Sequence, residues 1–223
     1  MFHRISRYLA VLLRRARLKN HNFSIISNTC IGGVITNSVG EQFRSPTVNL
    51  VIYEEEFLTF CEHLADYARC ELVPADPDLA ARMGYPVGTL LGTEVGLPDI
   101  TVYFVHYKTF DEARAAWHKR FARVNYDNLF FVMDRAMEAH PEILDRFHAL
   151  PYPHKVFFTH REDPERWPNT FRLSYYMERD YKVAFMYTFV RRGLLQYRVL
   201  DEFDFVHWLN TGAIRRNPIF DRS

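Results

Sequence analysis

The feature that most constrains this chain is an alternation. Short apolar runs, rich in β-branched and aromatic residues, are separated by longer segments with helical periodicity. The runs fall at residues 23–27, 48–53, 100–106, 129–133 and 156–159. Helical patterns fill the intervals: 34–39, 54–69, the segment after Thr109, and 141–150. Near-continuous apolar runs of this length suit strands covered on both faces. Strands alternating with helices predict a mainly parallel sheet with helices on either side. The expected class is therefore α/β: a three-layer α/β/α domain with an irregular C-terminal extension.

The helices carry readable punctuation. Glu54, Glu55 and Glu56 sit in the first turn of a helix expected over 54–69, where the helix dipole favours carboxylates. Phe57, Phe60, Cys61, Leu64 and Tyr67 form its apolar side. Thr109-Phe110-Asp111-Glu112 has the spacing of a capping box. Asp76-Pro77-Asp78 superficially matches the D-x-D of metal-dependent glycosyltransferases. Pro77 and the following Leu79-Ala80-Ala81 instead fit a turn capping a small helix. Beyond residue 165 the alternation is lost, with strand-like stretches at 171–176 and 183–190 and a helical one at 203–209.

Residues 2–19 stand apart. Arg4, Arg7, Arg14, Arg15, Arg17 and Lys19 are accompanied by no acidic residue, and Phe2, Ile5, Leu9, Leu12 and Leu13 recur at helical spacing. Against a net charge of +1 for the whole chain, these six leave the remainder at −5. Two readings fit: a basic amphipathic helix lying on an anionic membrane surface, or a terminal helix packed on the domain with its arginines solvated. The expected organisation is a basic helix at 1–20, one α/β domain at 21–212 and a flexible tail at 213–223.

Composition narrows the function classes. Hydrophobic residues make up 48% and charged residues 25%, an ordinary globular balance. The near-neutral net charge gives no global argument for nucleic-acid binding. Cys30, Cys61 and Cys70 form neither a disulfide framework nor a zinc pattern, and reduced thiols predict a cytoplasmic protein, peripheral to the inner face of the membrane if the basic helix binds lipid. No apolar run approaches a membrane span, and the arginines after the first apolar patch argue against a signal peptide.

The chemistry is expected at the strand ends. Phe23 to Ser27 is followed by Asn28-Thr29-Cys30 and then by Gly32-Gly33 at the start of a helix. Such a turn aims backbone N–H groups at an anion. The plainer alternative is a tight strand-to-helix connection. It lacks G-x-G-x-x-G and the Walker A lysine. Other strands run out at His106-Tyr107-Lys108, Asp134-Arg135 and His160-Arg161. In a parallel sheet these ends share one rim. Asn28, Thr29, Gly32, Gly33, Lys108, Arg135 and His160 are thus candidate ligand-binding residues, with Asn28 facing solvent. His106, Asp134 and Cys30 are candidate catalytic groups. Cys30 at a helix N-terminus is either an activated nucleophile or a packed small residue. No metal site and no cofactor is expected. A phosphorylated small molecule is the expected partner.

A resemblance adds to this. Ile26-Ser27-Asn28-Thr29-Cys30-Ile31-Gly32-Gly33 and Ser45-Pro46-Thr47-Val48-Asn49-Leu50 resemble the opening of a bacterial family, number nineteen-nineteen among the domains of unknown function. Further matches are Tyr85-Pro86-Val87-Gly88, His106-Tyr107-Lys108, the segment 113–128 and Lys155-Val156-Phe157-Phe158-Thr159-His160. They span residues 22 to 210. Where the family usually has a second Asn and a Trp, this chain has Thr29 and Ile31. The family is usually labelled exopolysaccharide biosynthesis protein. The resemblance implies an α/β fold and a link to surface polysaccharide. With the strand-end chemistry, it leads to the expectation of a transferase using a nucleotide-sugar donor. The alternatives are acyl or phosphoryl-linked modification of a glycan, and a non-catalytic scaffold subunit of polysaccharide assembly.

Overall fold

A computed structural model of the chain describes residues 2–134, 140–159, 163–173, 189–192 and 195–220. Helix α1 (Phe2–Arg17) precedes β1 (Ser24–Ser27) and α2 (Ile31–Ser38). The pattern at 54–69 is helical but broken: α3 (Glu54–Glu62) stops at His63, whose non-helical backbone separates it from α4 (Leu64–Tyr67). Then come β2 (Leu72–Pro74), α5 (Pro77–Met83), β3 (Val87–Leu90) and β4 (Ile100–Tyr103). The second half holds α6 (Phe110–Phe121), β5 (Leu129–Asp134), α7 (Pro141–Ala149), β6 (Lys155–Phe158) and β7 (Thr170–Phe171). The hairpin β8 (Phe189–Arg192) and β9 (Leu195–Arg198) and helix α8 (Phe205–Thr211) form the C-terminal extension.

Four strands make a parallel sheet in the order β1-β5-β6-β7, with Ile26 opposite Phe131 and Val132 opposite Val156. Period-two alternation sends neighbouring side chains to opposite faces. Ile26, Phe131, Met133 and Phe157 therefore pack with Phe57, Phe60, Trp117 and Phe147 of α3, α6 and α7. Ile25, Phe130, Val132 and Phe158 pack with Ile35 of α2 and with Phe203 and Trp208. Two apolar clusters on two faces of one sheet are the three layers expected of the α/β class. Lys155, buried at the start of β6, donates to the carbonyls of His148 and Leu150 and so closes the C-terminal end of α7.

Two expected parallel strands are not in that sheet. The run at 100–106 forms β4, which ends at Tyr103 and belongs to an antiparallel sheet of order β2-β3-β4. The run at 48–53 forms no strand: Val51 makes a single antiparallel bridge to Tyr103, and the Ile52 N–H donates to the Asn28 carbonyl at 2.9 Å. Apolar periodicity reports burial and carries no information about a strand's partner or direction, so both runs fitted the parallel reading equally well. The 48–53 run joins the two sheets, bonded to the end of β1 on one side and to β4 on the other.

Both smaller helix signals stand. Thr109 accepts the Glu112 N–H at the start of α6, and Asp76 accepts the Asp78 N–H with Pro77 in the first turn of α5. The 213–220 segment, expected as part of a flexible tail, carries ordered ion pairs: Arg215 with Asp204 at 2.6 Å and Arg216 with Glu202 at 2.8 Å. Among the described residues, no helix is long and apolar enough to cross a membrane.

Candidate functional site

The C-terminal ends of β1 and β5 meet side by side, and the residues there are bonded mostly to one another. Ser27 accepts the Gly32 N–H on its hydroxyl, which in turn donates to the Thr29 carbonyl. Its own N–H goes to the Thr47 hydroxyl. Asn28 is buried, and its side-chain amide donates to the Asp134 carbonyl at 2.8 Å and accepts the Asp134 N–H at 2.9 Å. A side chain thereby adds one more rung to the β1–β5 ladder. This corrects the expectation of a solvent-facing Asn28: both polar ends of its amide are occupied inside the protein.

The two glycines also have a packing role. A Cβ on Gly32 would lie 2.6 Å from the Ser27 hydroxyl and 3.0 Å from the Ile25 side chain. A Cβ on Gly33 would lie 3.0 Å from Val48. Both positions let α2 settle closely on β1 and on the 45–50 loop. Thr29 is buried as well.

Cys30 departs from the activated-thiol expectation. Its Sγ donates to the Leu50 carbonyl at 3.8 Å, and burial pushes the thiol pKa up to about 11. The helix N-terminus beside it does not overcome the loss of solvation, because a thiolate is stabilised by water far more than a thiol is. Cys61, fully buried in α3, is likewise raised by burial. All three cysteines are free thiols.

His106 and Lys108 are exposed in the turn after β4, so they come from the antiparallel sheet and do not extend the parallel rim. The turn nevertheless reaches the loop that holds Cys30. Tyr107 between them donates from its hydroxyl to the Val48 carbonyl at 3.3 Å, and Arg120 of α6 donates to the same carbonyl at 3.1 Å. Cys30 and Tyr107 thus touch backbone carbonyls two residues apart. The residue after Val48, Asn49, has φ +65°, a left-handed conformation that Asn tolerates better than most side chains. Asp134 is buried at the end of β5. Arg135 and His160 lie outside the described residues.

Sequence reasoning missed a cleft of about 540 Å³ at the N-terminal ends of α3 and α7, lined by Tyr53, Glu54, Glu55, Glu56, His140, Glu142 and Ile143. Tyr53 follows Ile52, which is bonded to Asn28, and His140 begins the helix that follows β5. Tyr53 is half exposed and packs edge-on against Tyr103, with ring centroids 4.9 Å apart. The Tyr103 and Tyr85 hydroxyls are raised in pKa, first by burial and then by the neighbouring Tyr53. Tyr53, which lines the cleft, and Tyr103 thus form an aromatic pair at its edge. Glu56 holds the Thr101 N–H at 2.9 Å. The signal was present as Tyr53-Glu54-Glu55-Glu56, but dipole compensation explained the glutamates without any ligand. Among the described residues, no group of three His, Cys, Asp or Glu side chains has the arrangement to hold a metal ion.

The surface near the cleft can stack a sugar ring on tyrosine and bond its hydroxyls to carboxylates. Comparison with known proteins agrees with the early resemblance at the level of family. The model of a domain of unknown function, DUF1919, matches residues 1–210. An uncharacterized protein of Haemophilus influenzae is 29% identical over 197 residues, covering 87% of each chain.

Proposed function

The chain belongs to the DUF1919 family of domains of unknown function, and on that premise we propose that it is a cytoplasmic transferase of bacterial surface-polysaccharide synthesis. The reaction we assign is glycosyl transfer from a nucleotide-activated sugar. The observation that carries this reading is the cleft at the N-terminal ends of α3 and α7, where Tyr53, packed on Tyr103, lies among carboxylates. Four glutamates repel a diphosphate, so the cleft suits the acceptor glycan, whose hydroxyls are donors to carboxylates. The donor's phosphates need cations, and Lys108, exposed after β4, is the candidate. His106, exposed in the same turn, is the candidate general base. Asp134, buried and bonded through its backbone to Asn28, positions the strand ends. Acyl transfer through a Cys30 thioester loses support, since a thiol with a pKa of about 11 holds almost no thiolate near neutrality.

The packing roles of Asn28, Gly32 and Gly33 favour one competing reading, a glycan-binding subunit without catalysis. Thermal denaturation with a panel of nucleotide sugars and of neutral oligosaccharides separates the two. A ligand at a hundredfold excess over its dissociation constant stabilises by about 2.7 kcal/mol. Stabilisation by a nucleotide sugar, lost in Lys108→Ala, is the result expected of the transferase. Stabilisation by oligosaccharide alone, lost in Tyr53→Ala, assigns the binding subunit. A panel with no effect on the melting temperature overturns both.

A further inference from the structure

Helix α1 is docked the wrong way round for a helix that belongs to the core. Its larger apolar residues from Tyr8 to Leu13, Val11 apart, face out: Tyr8, Leu9, Leu12 and Leu13 are 65%, 51%, 44% and 66% exposed. Its inner side is formed by Ala10, Val11 and Arg14, all half-buried. Val11 packs over Gly40, where an added Cβ would lie 3.2 Å from its methyl carbon. Arg14 pairs with the buried carboxylate of Asp201 at 2.8 Å and lies over the Phe205 ring. At the end of the helix, Leu18 is buried and the Lys19 N–H donates to the Asn210 side chain at 2.7 Å. An arginine clamp and a fastened C-terminal end therefore hold the helix with its apolar stripe toward solvent. The orientation is the opposite of the one burial would select in water.

The apolar surface does not stop at the helix. Leu13 also lines a groove of about 340 Å³ shared with Phe203, Phe205, Ile219 and Phe220, and Ile219 is 60% exposed. Arg15, Arg17 and Lys19 are exposed near the stripe, and residues 2–19 contain no carboxylate. A second copy of this chain fits that face poorly. From Tyr8 to Leu13 the stripe runs about 9 Å along the helix and about 10 Å across, roughly 90 Å², and even with the groove beside it falls well short of the roughly 800 Å² each partner contributes to a stable interface. Apposing two such helices would also bring arginine against arginine. A sheet of anionic headgroups over an acyl interior matches both the charge and the apolarity.

We infer that the outer face of α1 docks the protein on an anionic lipid surface, its leucines at the acyl–headgroup boundary and its exposed cations on lipid phosphates. The inference is independent of the reaction proposed above. The helix acts as a fixed plate, because Arg14–Asp201 ties it to the domain.

Co-sedimentation of the full chain with phosphatidylcholine vesicles, with and without phosphatidylglycerol, tests this. Binding to the anionic vesicles alone is expected, weakening as salt rises. Leu9→Glu with Leu13→Glu, and separately Arg17→Glu with Lys19→Glu, are each expected to weaken it by at least about tenfold. All four side chains are exposed, so both variants should melt as the wild type does. No vesicle binding, equal binding by the variants, or equal binding to neutral vesicles overturns the inference. So does a dimer, seen by light scattering, that the Leu9→Glu/Leu13→Glu variant abolishes while vesicles remain unbound.

Discussion

The amide of Asn28 is bonded on both sides to the backbone of Asp134, giving to its carbonyl and taking from its N–H. Two strand ends that ordinary ladder bonds would leave open are closed by one side chain. Asn28→Ala removes both bonds and leaves a buried N–H and a buried carbonyl unsatisfied. The expected cost is about 2–6 kcal/mol, because each buried group left without a partner costs about 1–3 kcal/mol. Urea unfolding checks it. A loss below about 1 kcal/mol would mean that water replaces the amide and that the site is open after all.

Gly32 stands where α2 crosses closest to β1. Gly32→Ala places a methyl 2.6 Å from the Ser27 hydroxyl and 3.0 Å from Ile25, so the helix must shift outward. Overpacking of this kind costs about 1–3 kcal/mol. Gly33→Ala meets a Val48 methyl carbon at 3.0 Å and no other neighbour as close, and is expected to cost less. The order of the two melting temperatures, Gly32→Ala below Gly33→Ala, is the outcome to look for.

Cys30 should be a slow thiol. With its pKa raised by burial to about 11, its modification rate near neutral pH is expected far below that of a free cysteine, rising about tenfold per pH unit through pH 10. The same shift fixes a sign for stability. The folded state keeps the proton that the unfolded thiol, at 9.0, releases. The contribution is therefore full below pH 9 and lost as pH rises from 9 toward 11. Cys30→Ser should retain whatever activity the wild type shows, and a loss of all turnover would restore the nucleophile.

Arg146 braces α7 against α3, bonding both oxygens of Glu62 at 2.6–2.7 Å and the Thr59 hydroxyl at 2.8 Å. The Arg146 hydrogen bond holds the Glu62 carboxyl below its ordinary 4.5. A depressed carboxyl stabilises the fold above its unfolded pKa and ceases to do so as pH falls below 4.5 through the folded value. Because the two side chains are 37% and 31% exposed, the effect is small and screened by salt. Melting temperatures of the wild type and Arg146→Ala should converge as pH drops from 5 toward 3. Curves that stay parallel across that range would show that the pair contributes nothing.

What the sequence determined by itself is local. Apolar runs at 23–27, 129–133 and 156–159 were long and continuous enough to be buried strands, and they are three strands of the parallel sheet. Thr109 and Asp76 capped helices where their spacing said they would. These signals survive because burial, capping and turn geometry depend on residues a few positions apart. Tertiary structure decided the rest. The 100–106 run became antiparallel because its hydrogen-bond partner is β3, and partner choice leaves no mark on a strand's own pattern. Asn28 turned inward because Asp134, 106 residues later, offers its backbone there. The stripe of α1 turned outward because Arg14 finds a buried carboxylate at Asp201, 187 residues away. An amphipathic pattern specifies that a helix has two faces, and only the distant partner determines which of them meets the protein.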